Sequence, residues 1–154
     1  MNKDLQTCVV QCSDVDCTTS ECMKQLLKNQ EIWKFCIDCG GNLDRVTCFN
    51  VIPKVLVLFV QENLVRVSKR IGIQNENNIV IFSLKGIVYF GDFHYTSGIC
   101  VDNHVWFNDG ISTGKKSIHE KLLSEFKDAE LSICNDKTVS LVVYAQSWAF
   151  SNNE

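Results

Sequence analysis

The only proline in the chain, Pro53, stands directly before the run Lys54-Val55-Leu56-Val57-Leu58-Phe59-Val60. Proline is tolerated at the first residue of a strand and not inside a central one, so this run predicts a strand that starts just past it. A continuous apolar run of this length also predicts burial on both faces. The same grammar continues downstream. Residues 45–52 alternate loosely, 72–78 form a polar loop, and strands are expected over 79–84, 86–90, 93–101, 104–107 and 138–144. Two segments have helical spacing instead. Ser20–Lys28 carries Cys22, Met23, Leu26 and Leu27 on one stripe, with Thr18 or Thr19 as cap. Residues 115–126 place Ile118, Leu122, Leu123 and Phe126 about one turn apart. The pattern predicts an α+β chain, mainly an antiparallel sheet, entered through a Cys-rich, partly helical segment. The expected division is a Cys-rich, finger-like segment over 1–42, a β unit over 43–150 and a frayed tail over 151–154.

Composition narrows the function classes. The chain has 154 residues, 45% of them hydrophobic, with nine Phe and three Trp, which excludes disorder as a description of the whole. A net charge of −3, with no block of Lys or Arg, is a poor match to a nucleic-acid binder. No apolar stretch is long enough for a membrane span, and the N-terminus lacks the apolar core of a secretory signal. The expected location is therefore intracellular, cytoplasmic or nuclear, with reduced thiols. Nine cysteines are many for such a chain. Cys36-Ile37-Asp38-Cys39-Gly40-Gly41 has the form of a metal knuckle, two thiols on a turn that glycines allow. Cys8, Cys12, Cys17 and Cys22 are the available source of a second pair.

His94 follows a Gly91-Asp92 turn, and Asn108-Asp109-Gly110 comes one strand and turn later. A returning strand can bring Asn108 or Asp109 to the imidazole. An acceptor on one ring nitrogen fixes the tautomer and leaves the other nitrogen as a base. The same residues also suit a satisfied histidine and an ordinary turn.

Taken in order, five segments resemble the later part of the catalytic domain of the ubiquitin-specific protease family, the papain-like, cysteine-type deubiquitinases. Ser20–Leu27 is similar to a short helix of the form S-L-E-x-C-L. Phe35–Gly40 resembles the later C-x-x-C of the zinc-binding fingers. Ile52–Phe59 is similar to the L-P-x-x-L-x-L-H-L strand. Phe82–Gly91 with His94-Tyr95-Thr96 resembles the histidine box, and Phe107-Asn108-Asp109 with Leu141–Ala145 resembles the segments that close the domain. The likeness covers residues 18–146.

The resemblance implies a palm-like antiparallel sheet and thiol-dependent hydrolysis of isopeptide bonds to ubiquitin or a ubiquitin-like protein. It implies His94 as general base, Asn108 as the group orienting it with Asp109 next in line, and one structural zinc on Cys36 and Cys39 with Cys8 and Cys12. The family's nucleophile box, G-L-x-N-x-G-N-T-C-x-x-N, has no counterpart in residues 1–42. The helices of the thumb are accordingly expected to be absent and an apolar seam exposed where they pack, open to a chain that supplies that half. Cys100 lies six residues from His94 on one expected strand, about 20 Å away and out of hydrogen-bond reach. Cys48 and Cys134 fall in strand-like segments and are expected to be buried as small hydrophobes. The family's glycine before the histidine is Phe93 here, which narrows access for a Gly-Gly tail. The alternative is a catalytically inactive module that binds a ubiquitin-like modifier or serves as a scaffold.

Overall fold

The strand after Pro53 begins at Val55, and the sheet is built outward from it. The structure is a computed structural model that describes residues 5–10, 17–28, 30–45, 48–60, 65–75 and 78–147, with backbone only for the strand at 5–10 and for residues 30–33 and 75. Strands β1 (Leu5–Val10), β4 (Val55–Val60), β5 (Arg70–Asn75), β6 (Asn78–Gly91), β7 (His94–Val101), β8 (His104–Asn108), β9 (Ile118–Leu122), β10 (Ile133–Cys134) and β11 (Lys137–Gln146) form one nine-stranded sheet. Its main path runs β1-β4-β11-β6-β7-β8-β9, with β5 on β6 and β10 on β11. Every pairing in it is antiparallel except β1 with β4. A separate hairpin joins β2 (Gln30–Phe35) to β3 (Asn42–Arg45).

The single α-helix among the described residues, α1 (Thr19–Leu27), covers the segment with helical spacing. Thr18 caps it: its hydroxyl accepts from the Glu21 amide at 3.2 Å, and the Glu21 carboxylate accepts from the Thr18 amide at 2.7 Å. The helix buries Cys22 and Met23 in the core, together with Leu56 and Leu58 of β4, Phe82, Leu84 and Ile87 of β6, and Val142 and Tyr144 of β11. Tyr144 ties these layers together, its hydroxyl 2.7 Å from that of Thr19 and donating to the Ser68 carbonyl at 2.8 Å.

Several expectations are corrected. β4 is buried on one face only, through Leu56, Leu58 and Val60, while Phe59 on the other face is 40% exposed. The two strands expected over 79–90 are one continuous strand of 14 residues, whose first half pairs with β5 and second half with β7. Residues 115–126 are not an α-helix: Ile118–Leu122 closes the sheet against β8 and Leu123–Glu125 is a 3-10 turn. Cys48 is exposed outside any strand and Cys134 is half-buried. Cys22 is disulfide-bonded, against the expectation of wholly reduced thiols. β1 belongs to the main sheet, so the N-terminal 42 residues contribute to both sheets. No helix among the described residues is long and apolar enough to cross a membrane.

Three hairpins connect their strands through two residues with positive φ: Asp92-Phe93, Asp102-Asn103 and Asn135-Asp136. Such turns match the right-handed twist of the strands they join. Asp and Asn accept the left-handed conformation readily. Phe93 is the one bulky residue placed there.

Candidate active site

His94 opens β7 directly after the Asp92-Phe93 turn, opposite Gly91. Its Nε2 lies 2.7 Å from Oδ1 of Asp109, with the two side chains 25% and 17% exposed. Strand parity explains why the partner is Asp109 and not Asn108. Ser97 pairs with Asn108, so Asn108 shares the outer face with Ser97, Tyr95 and Trp106. His94 and Thr96 lie on the other face, and one step past Asn108 the chain returns to it. The Asn108 amide is used elsewhere, donating to the Lys116 carbonyl at 2.8 Å and to Thr113 Oγ1 at 3.3 Å.

Asp109 is itself held by the turn that follows it. The Ile111 amide donates to its Oδ1 at 2.9 Å, its own amide donates to Thr113 Oγ1 at 3.0 Å, and Thr113 Oγ1 donates to its carbonyl at 2.8 Å. The His94 hydrogen bond first, then the Ile111 amide, hold the Asp109 carboxyl well below the usual carboxylate range. At neutral pH Asp109 is therefore a carboxylate, and Nε2–H of His94 donates to it. That tautomer leaves the Nδ1 lone pair as the base. Thr113 was not among the candidate residues. Its signal lay in the Asp-Gly-Ile-Ser-Thr run, where an Asp and a Thr four residues on can hydrogen-bond each other's backbone. Thr96, buried on the His94 face, has no partner for its hydroxyl among the described residues.

No cysteine among the described residues hydrogen-bonds His94. Cys100 lies further along the same strand, buried, and burial pushes its thiol up to about 11, so it is neutral at pH 7. Cys134, also pushed up to about 11 by burial, lies on β10.

Cys36 and Cys39 sit at the tip of the β2–β3 hairpin, where the Gly40 amide donates to the Cys36 carbonyl at 2.9 Å and the Cys36 amide to the Gly41 carbonyl at 2.8 Å. Gly40 takes φ +69°, a conformation glycine adopts freely. Hydrogen bonds from the Cys39 and Asp38 backbone lower the Cys36 thiol from its ordinary value. A thiolate-favouring knuckle fits half of a tetrahedral zinc site. Cys8 is on β1, opposite Leu58 in the main sheet, and Cys12 lies outside the described residues. Among the described residues no three metal-ligating side chains come together.

Phe93 is fully exposed at φ +56°, a conformation that costs a non-glycine residue roughly 1–2 kcal/mol. Phe93→Gly gives up no burial, so it is expected to raise stability by about 0.5–1 kcal/mol, glycine's greater unfolded-state freedom offsetting part of the relief. Urea denaturation of the two proteins measures it. A loss of stability would mean the Phe93 ring makes a compensating contact.

No family profile matches the sequence, and no curated protein matches it. Solved structures do match. The SAGA deubiquitinating module of Ubp8, Sgf11, Sus1 and Sgf73 bound to monoubiquitin superposes with a TM-score of 0.59 at 14% identity, covering 94% of this chain and 35% of that one. The yeast module with a substituted Sgf73 gives 0.61 at 16% identity, again over 94% and 35%. A third form, with a shortened Sgf11, gives 0.57 at 15% identity, over 86% and 35%. The chain thus spans about a third of the length of the chains it matches. At these identities the likeness is one of fold alone, shared with about a third of a chain of that deubiquitinating module.

Proposed function

We propose that this chain is the base-bearing part of a ubiquitin-specific-protease-like domain that hydrolyses isopeptide bonds of ubiquitin or a ubiquitin-like protein. The observation that carries the proposal is the 2.7 Å contact between His94 and Asp109 at the mouth of a hairpin on that fold. In this scheme Nδ1 of His94 takes the proton of a cysteine thiol, the thiolate attacks the carbonyl, and the imidazolium protonates the leaving amine. Water, giving its proton to the same Nδ1, then cleaves the thioester, and the thiolate leaves and is reprotonated. Asp109 holds the ring and stabilises its charge, while Asn108 supports the turn. No cysteine among the described residues meets His94, so the scheme takes its thiol from a partner or an extension. Exposed apolar side chains on the outer sheet face, Phe59, Phe90, Ile99, Val101 and Trp106, supply a surface for such a half. Cys36 and Cys39 would supply two thiolates to one structural zinc, which would contribute folding energy to the hairpin. The second pair expected from Cys8 and Cys12 is not brought to them among the described residues, Cys8 lying opposite Leu58 in the main sheet.

The test assays this chain, and a version extended upstream, with a fluorogenic ubiquitin substrate. Turnover abolished by His94→Ala, strongly reduced by Asp109→Ala and less affected by Asn108→Ala is expected. Turnover indifferent to His94→Ala, or none from either polypeptide, overturns hydrolysis. A second reading, an inactive modifier-binding module, is favoured by the exposed Phe93 and by the lack, among the described residues, of a cysteine at His94. Labelled ubiquitin that shifts residues around His94 without turnover would select it.

A further inference from the structure

The chain has three histidines, and the two outside the candidate active site are in contact. His104 lies on β8 and His119 on β9, the sheet's edge strand, and both are exposed. Nδ1 of His104 is 2.9 Å from Nε2 of His119, and the ring centroids are 5.0 Å apart. In register, His119 pairs with Trp106 and His104 with Leu122, so the two are diagonal neighbours. The register shift between His104 and Trp106, where Glu120 and Lys121 of β9 stand opposite the single Val105 of β8, brings the rings together.

We propose that His104 and His119 form a two-histidine site for a divalent late transition metal, of the class that imidazole favours: Zn²⁺, Ni²⁺ or Cu²⁺. A tetrahedral zinc with Zn–N distances of about 2.0–2.1 Å holds two ligand nitrogens about 3.3–3.4 Å apart. The facing nitrogens need to separate by only about 0.5 Å to reach that geometry. The proton count also closes. In the metal-free pair one facing nitrogen carries N–H and donates to the other. If His104 is the donor, moving that proton to its Nε2 frees both facing lone pairs without net loss of a proton. Water fills the remaining positions, as the site faces solvent. The metal would clamp β8 to β9 across the 109–117 turn, whose first residue is Asp109.

The test follows the ring signals of all three histidines by long-range ¹H–¹⁵N NMR during titration of the full chain with Ni²⁺. Paramagnetic broadening of His104 and His119 together, at about tenfold less Ni²⁺ than His94 requires, is expected. Zn²⁺ should restore the signals by competition. His119→Gln should raise the Ni²⁺ needed to broaden His104 by about tenfold, and His104→Gln should do the same for His119. Broadening of all three histidines in parallel, or of His104 regardless of His119→Gln, would overturn the two-ligand site. Neither outcome touches the hydrolysis proposal, whose test reads His94.

Discussion

Tyr144→Ala is expected to lower unfolding free energy by about 3–5 kcal/mol, the range for deleting a fully buried aromatic side chain. Domains of this kind are stable by only about 5–15 kcal/mol, so the variant should be at the edge of folding. Two losses combine. The ring leaves a cavity between β6, β11 and α1, since Tyr144 has no exposed surface. The hydroxyl also joins three parts of the chain distant in sequence, through Thr19 at 2.7 Å and the Ser68 carbonyl at 2.8 Å. Tyr144→Phe separates the two effects. It keeps the packing and leaves the Ser68 carbonyl without its donor, while Thr19 Oγ1 still accepts from the Ser68 amide at 2.9 Å. That variant should lose about 1–3 kcal/mol, the cost of a buried group left unpaired. Urea denaturation of both measures the difference. A Tyr144→Phe protein as stable as the parent would show that the hydroxyl contacts contribute nothing. A Tyr144→Ala loss under about 1 kcal/mol would mean the site collapses around the missing ring.

Legibility in the sequence followed the length of each pattern. Helix α1 was readable because cap and stripe agree: Thr18 precedes Glu21 by three residues, and Cys22 and Met23 fall on the buried face. β7 was readable from its β-branched content and the turn before it, and that strand alone accounts for the separation of Cys100 from His94. Residues 115–126 have four apolar side chains at helical spacing, yet the sheet edge that Ile118–Leu122 closes decides their conformation. Pairing with β8 satisfies backbone groups that an isolated helix would have had to satisfy alone. The two-face burial expected of β4 failed for a related reason. A run of Val and Leu states that a strand is apolar, and only the neighbours decide whether both faces are covered; here the face bearing Phe59 is open. At the candidate site the sequence brought His94 to within one residue of its partner. The choice between Asn108 and Asp109 rests on strand parity, which needs the Ser97–Asn108 register and is not visible along a single chain. The His104–His119 contact was hidden in the same way, since it depends on a register shift in β9.

Stability should also fall steeply as pH rises from about 9 to 11, and the fall should be traceable to buried acids that are neutral in the folded state. Burial pushes the Cys100 and Cys134 thiols from 9.0 up to about 11. Burial likewise raises the Tyr89 and Tyr144 hydroxyls above their ordinary value. Each of these groups releases its proton more readily in the unfolded chain than in the folded one. Below pH 9 both states are protonated and the contribution is intact. As pH climbs, the unfolded chain ionises first and is favoured, until the folded thiols also ionise near pH 11. At 1.36 kcal/mol for each unit of pKa difference, Cys100 alone accounts for about 2 kcal/mol after allowance for its partial solvent contact. Cys134 is half-buried and adds less. The tyrosines extend the loss beyond pH 11, because their folded-state values lie above those of the thiols. Urea midpoints taken at half-unit intervals from pH 8 to 11.5 should trace this slope. Cys100→Ala replaces the thiol by a group that cannot ionise, so its stability should be lower at pH 8 and decline less between pH 9 and 11. Parallel curves for the two proteins would show that the Cys100 thiol meets solvent as freely in the fold as in the unfolded chain, against its burial on β7.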